Sequence, residues 1–80
     1  MVYNMENNII SLAFFLKEKR RLSNLTQKQL AEKAGVGLRF IRDLEQGKTT
    51  LRMDKVNQVL KLFGQELQPG PINRDKLLKE

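Results

Sequence analysis

The sequence predicts an all-α fold, a small bundle of four to five helices with a short extended segment near the C-terminus, on three observations. Ile9, Leu12, Ala13 and Leu16 recur at i, i+3, i+4 and i+7, the spacing of one apolar helix face. Thr26-Gln27-Lys28-Gln29 fits a capping box, in which the Thr26 hydroxyl accepts from the Gln29 amide and the Gln29 side chain reaches back to the Thr26 amide. Gly35, Gly47 and Gly64 each follow a helix-periodic stretch and serve as its stop. A chain of 80 residues gives one domain and one core. With 40% apolar and 6% aromatic residues that core is thin, and a domain of this size usually needs a staple or a partner.

Taken in order, the first helix is expected from about Glu6 to Leu22, with Asn24 closing it in the left-handed conformation that Asn tolerates. Lys17, Lys19, Arg20 and Arg21 in its last turns suit the negative end of the helix dipole. Phe14 and Phe15 are adjacent and cannot both face one core, so one is expected to meet a partner or a dimer mate. The second helix starts at Gln27, turns Leu30, Ala31 and Ala34 inward and ends at Gly35. Val36 and Gly37 make a tight turn before a third helix from Leu38 to Gln46, with Ile41 and Leu44 inward. A fourth, Asp54 to Phe63, carries Val56, Val59, Leu60 and Phe63 at core spacing. Gln65-Glu66-Leu67-Gln68 then reads as extended, and Pro69 ends it. The linker-like Gln68-Pro69-Gly70-Pro71 divides a body of residues 1–68 from a tail of residues 69–80, where Asn73 to Glu80 forms a short helix or a disordered arm.

Composition excludes much chemistry. The chain has no cysteine and no histidine, which removes disulfides, thiolate nucleophiles, imidazole bases and Cys/His zinc sites; neither a cofactor nor a metal is expected. Fifteen basic residues against nine acidic ones give +6, the balance of a protein with a polyanionic partner. All of that excess lies between Lys17 and Arg52, where ten basic residues face four acidic ones. The longest apolar run, Leu12 to Leu16, is far short of a membrane span, and a soluble, intracellular (cytoplasmic) protein is expected.

Two short helices joined by a Gly-containing turn, the second with a charged outer face, form the unit that places its second helix in the major groove of DNA. Leu25-Thr26-Gln27-x-x-Leu30-Ala31-x-x-Ala34-Gly35-Val36 followed by Ile41-x-x-Leu44-Glu45-x-Gly47-Lys48 resembles the Xre, or lambda-repressor-like, helix-turn-helix family, over roughly Leu12 to Gly64. Arg39 to Lys48, the following helix and the extended Gln65–Gln68 resemble the HipB-like antitoxins within it. That resemblance implies a homodimer whose C-terminal strands (Glu66, Leu67, Gln68) pair between subunits. It further implies repression of the chain's own operon and binding of a HipA-like serine/threonine kinase toxin. Four residues with one strongly apolar member do not hold as an isolated strand, so pairing in the dimer is what forms it.

Arg39 and Arg42 lie three apart, opposite inward Ile41 and Leu44, and are the candidates for base readout, since Arg aimed at guanine O6 and N7 is the commonest specific contact. Leu38 stands where many family members carry a Gln that bonds adenine; it is expected to pack on a thymine methyl instead. Gly37 replaces a frequent Ser or Thr at the start of that helix. The resemblance assigns the phosphate backbone to Gln27 and Lys48, joined by Thr26, Lys28 and Gln46, with Lys17, Lys19 and Arg21 as more distant contributors. It also implies an ion pair between Arg20 and Glu45 that orients the recognition helix. Phe40 points either toward the first helix or toward DNA. An enzyme built on Asp43, Glu45 and Asp54 lacks a convergent pocket in so small a chain. The stronger alternative is a stand-alone or phage-type repressor of the same family with no toxin partner.

Overall fold

The computed structural model describes residues 2–3 and 9–69, and side chains from residue 11 to residue 69. Four helices account for most of the described chain: α1 (Leu12–Leu22), α2 (Gln27–Ala34), α3 (Leu38–Glu45) and α4 (Met53–Lys61). The architecture is the expected all-α bundle. Its core is made of Leu16 from α1, Leu30, Ala31 and Ala34 from α2, Ile41 and Leu44 from α3, and Val56, Val59 and Leu60 from α4. These are the positions picked out by helical spacing, because a short helix is held mainly by the apolar stripe it buries rather than by its own propensity.

The first helix starts later than its apolar spacing suggests. Ile9–Ile10 is extended and pairs antiparallel with Val2–Tyr3 in a two-residue ladder, Val2 opposite Ile10 and Tyr3 opposite Ile9. Ser11 then caps α1, its hydroxyl accepting from the Phe14 amide at 3.1 Å. Two consecutive β-branched residues favour the extended conformation, and a Ser after them offers a stronger start signal than the Ile9 periodicity. The expected stretch around Glu6 lies outside the described residues, as does the tail from residue 70 onward.

Beyond α1 the chain follows its local signals. Asn24 has φ 58°, and the Leu25 amide returns to the Arg20 carbonyl at 3.1 Å, satisfying a helix-end acceptor. Both halves of the capping box at α2 are formed, Gln29 N to Thr26 Oγ1 at 3.0 Å and Thr26 N to Gln29 Oε1 at 2.8 Å. Gly35 ends α2 at φ 73°, and the side-chain amide of Gln58, from α4, donates to the carbonyls of Ala34 (2.6 Å) and Gly35 (3.1 Å). Thus α4 closes the C-terminal end of α2, and three residues later α3 begins. Before α4, Arg52 donates to exposed Asp54 at 2.6 Å. That hydrogen bond lowers the Asp54 pKa, so the small stabilisation it brings is present at neutral pH and disappears as pH falls through that lowered value.

Residues 65–68 do not form a strand within the chain. Leu67 packs on the edge of the core and its amide donates to Asn57 Oδ1 of α4 at 2.7 Å. Of the adjacent phenylalanines, Phe15 packs against the core while Phe14 remains 56% exposed. No described helix is long and apolar enough to cross a membrane.

The two glycines that flank the turn between α2 and α3 differ in kind. A Cβ on Gly35 sits at positive φ and 3.0 Å from the Gln58 amide nitrogen, whereas one on Gly37 meets nothing within 4 Å. Gly35→Ala is therefore expected to destabilise the fold by about 1–2 kcal/mol. Gly37→Ser, which adds the missing N-cap acceptor of α3, is expected to stabilise it by about 0.5 kcal/mol. Thermal melts of the two variants check the opposite signs.

Candidate nucleic-acid interface

Two layers of residues build the surface around α2 and α3. The inner one is polar and nearly dry. Glu45, at the end of α3, has a side chain 3% exposed; Arg20, from the last turn of α1, is 14% exposed and donates to it twice, Nε to Oε2 at 2.7 Å and a second guanidinium nitrogen to Oε1 at 3.0 Å. The remaining guanidinium nitrogen donates to the Leu25 carbonyl at 2.9 Å. Gln27 Nε2 adds a bond to Glu45 Oε1 at 3.2 Å. One carboxylate thus collects donors from α1 and α2, and one guanidinium ties α1, the turn at Leu25 and α3 together. Among the described residues no buried side-chain nitrogen or oxygen lacks a partner. A charge removed from water is tolerable only under such complete satisfaction.

The outer layer is the exposed stripe of α3. Arg39, Arg42, Asp43 and Gln46 fall at i, i+3, i+4 and i+7, opposite buried Ile41 and Leu44. Arg39 is 88% exposed, Arg42 is exposed and has no ion-pair partner among the described residues, and Lys48 stands in the loop that follows. At the start of α2, Thr26 and Lys28 are exposed, with Thr26 engaged as the N-cap.

Two residues, Gln27 and Leu38, sit differently from their expected roles, and Phe40 takes the inward one of the two directions open to it. The Gln27 side-chain amide is turned to Glu45, leaving its carbonyl oxygen and its unpaired first-turn backbone N–H for an outside ligand. Leu38 is half-buried against the core, so only its outer edge is available. Phe40 also packs on the core, beneath the ammonium of Lys55 at 6.0 Å from the ring centroid.

Two residues on or beside this surface carry no role from sequence alone. Asp43 lies between Arg39 (3.5 Å) and Lys48 (3.6 Å); its i+4 spacing from Arg39 was the available signal. Gln58 reaches α2 across 24 residues, a contact with no local signature.

A helix-turn-helix family model, described simply as helix-turn-helix, matches residues 16–69. The chain belongs to the helix-turn-helix family. The matched span holds α2, the three-residue turn, α3 with its basic stripe, and α4. The chain is also similar to an uncharacterized HTH-type transcriptional regulator, y4mF, of Sinorhizobium fredii (strain NBRC 101917 / NGR234), 58% identical over 45 residues. That match covers 56% of this chain and 59% of the relative, so the chain spans about three-fifths of the relative's length. In a helix-turn-helix domain the second helix of the motif enters the major groove and its partner crosses the backbone, which makes α3 the recognition helix here.

Removing Arg20 leaves the Glu45 carboxylate buried with only the Gln27 amide. Arg20→Ala is expected to cost about 3 kcal/mol of stability, within the range for a broken buried pair. Arg20→Lys is expected to recover only part of it, because an ammonium cannot reproduce the forked contact. Chemical denaturation of the three proteins checks the order.

Proposed function

We propose that this chain is a sequence-specific, double-stranded DNA-binding transcriptional repressor. The observation that carries the reading is the exposed Arg39/Arg42 stripe of α3, held on a motif whose second helix fits the major groove. The net positive charge, all of it between Lys17 and Arg52, supplies attraction to phosphate. The name of the Sinorhizobium relative, a transcriptional regulator, supports the same reading.

In this account Arg39 and Arg42 read base edges, and the outer edge of Leu38 meets a thymine methyl. Lys28, Gln46 and Lys48 hold phosphates, together with the Thr26 hydroxyl proton and the backbone amide of Gln27 at the start of α2. Residues 1–68 act as the binding domain and residues 69–80 as a tail. The finer assignment is a HipB-like antitoxin that forms a homodimer through Glu66, Leu67 and Gln68, represses its own operon and neutralises a HipA-like kinase toxin. It is supported by the sequence resemblance and by the non-helical segment at residues 65–68, whose Leu67 amide is anchored on Asn57 while Glu66 and Gln68 stand exposed. A stand-alone repressor uses the same surface without the kinase. Purification of the tagged chain from its own cells separates the two: a co-purifying HipA-like kinase that the chain inhibits supports the antitoxin, and a clean chain that still represses its operon supports the stand-alone repressor.

The DNA-binding claim is checked by affinity for duplex DNA across salt concentrations. A log–log slope near one per phosphate contact is expected, and a flat response refutes it. Arg39→Ala and Arg42→Ala are expected to lower operator affinity by roughly 5–150-fold (about 1–3 kcal/mol) while changing random-duplex affinity far less. Lys48→Ala is expected to weaken both alike.

A further inference from the structure

Asp43 is an acid in the middle of a basic surface, and helix stability does not explain it. Its side chain is 22% exposed, and its carboxylate stands 3.5 Å from Arg39 Nε and 3.6 Å from Lys48 Nζ. Along α3 the two charges run against the dipole: Arg39 lies in the first turn, at the positive end, and Asp43 in the last, at the negative end. For an i, i+4 pair this is the weaker order. The Arg39 side chain stands almost wholly in water, so the contact is screened and contributes little to folding. What the arrangement does control is the availability of two cations that face outward.

A duplex approaching α3 brings phosphates and base edges together. A carboxylate repels the phosphates and cannot donate to guanine O6 or N7 or to thymine O4. It can only accept, and in the major groove the donors are the amino groups of cytosine and adenine. Every base pair carries one such amino group, but only a cytosine or adenine on the strand that faces Asp43 brings it within reach; at other sequences Arg39 and Lys48 must leave Asp43 while its carboxylate meets no donor. A site with an amino group opposite Asp43 satisfies the carboxylate and frees both cations at once.

We propose that Asp43 is a specificity-determining residue of this DNA-binding surface: it restrains Arg39 and Lys48 in the free protein and releases them at sites presenting a cytosine or adenine amino group to its carboxylate. The proposal rests on the DNA-binding reading above. Its effect is a penalty on wrong sequences more than a gain on the right one, a known route to discrimination.

The test compares the full chain with Asp43→Asn and Asp43→Ala, after thermal melts establish that all three are folded. Operator duplexes are first obtained by selection from a random library with the wild-type chain, and affinity for operator and for random duplex is then measured across salt. Both variants are expected to bind random duplex several-fold more tightly, with the salt slope steeper by about one, while operator affinity rises less or falls. Repeating the selection with Asp43→Ala is expected to lose a cytosine or adenine preference at one position of each half-site. Equal gains on both duplexes, or no change on random duplex, overturn the proposal while leaving DNA binding intact. If the wild-type chain shows no salt-dependent duplex binding, the DNA-binding reading itself fails, and the proposal with it.

Discussion

Among the described ion pairs, that of Arg20 and Glu45 alone has both side chains largely withdrawn from water. Its two short hydrogen bonds, with the Leu25 carbonyl and the Gln27 amide completing the set, connect three of the four described helices at one point. Apolar packing holds α3 through buried Ile41 and Leu44, with Leu38 and Phe40 at the core edge, contacts that carry little directional preference. The forked contact at Glu45 supplies that preference. A planar guanidinium meeting a carboxylate by two parallel bonds constrains direction as well as distance.

The outer surface depends on that constraint. With Glu45 turned inward, the exposed stripe of α3 presents Arg39, Arg42 and Asp43, and the acid that would oppose a phosphate backbone is neutralised in the interior. The capping box at Thr26 and the closure by Gln58 fix the two ends of α2, and the Gln27–Glu45 hydrogen bond ties the start of α2 to α3.

Local signals carried most of the fold. The capping box, the left-handed Asn24, the turn glycine at Gly35 and the apolar spacing of α2, α3 and α4 each involve residues within four positions of one another. The start of α1 was misread because Ile9 happens to continue a helical period, while two β-branched residues and the Ser11 cap place it in a strand. Two contacts between distant residues have no such signature: the hold of Gln58 on α2 across 24 residues and the turning of the Gln27 amide to Glu45 across 18. On the candidate interface, Arg39 and Arg42 were legible as exposed cations opposite a buried face. Leu38 was not legible as a core-edge residue, since helical position alone leaves it at the border of the apolar stripe. Residues 65–68 read as extended, and their anchoring by Asn57 explains how a segment of weak strand propensity keeps its place without strand pairing in the chain.

The most direct measurement of the central claim is a double-mutant cycle on Arg20→Ala and Glu45→Ala, read by the free energy of unfolding. If the pair couples α1 to α3 as described, each single change leaves a partner unmatched, and the double variant is less destabilised than the two losses together, with a coupling of about 2–3 kcal/mol. Additive losses, with coupling indistinguishable from zero, would contradict it.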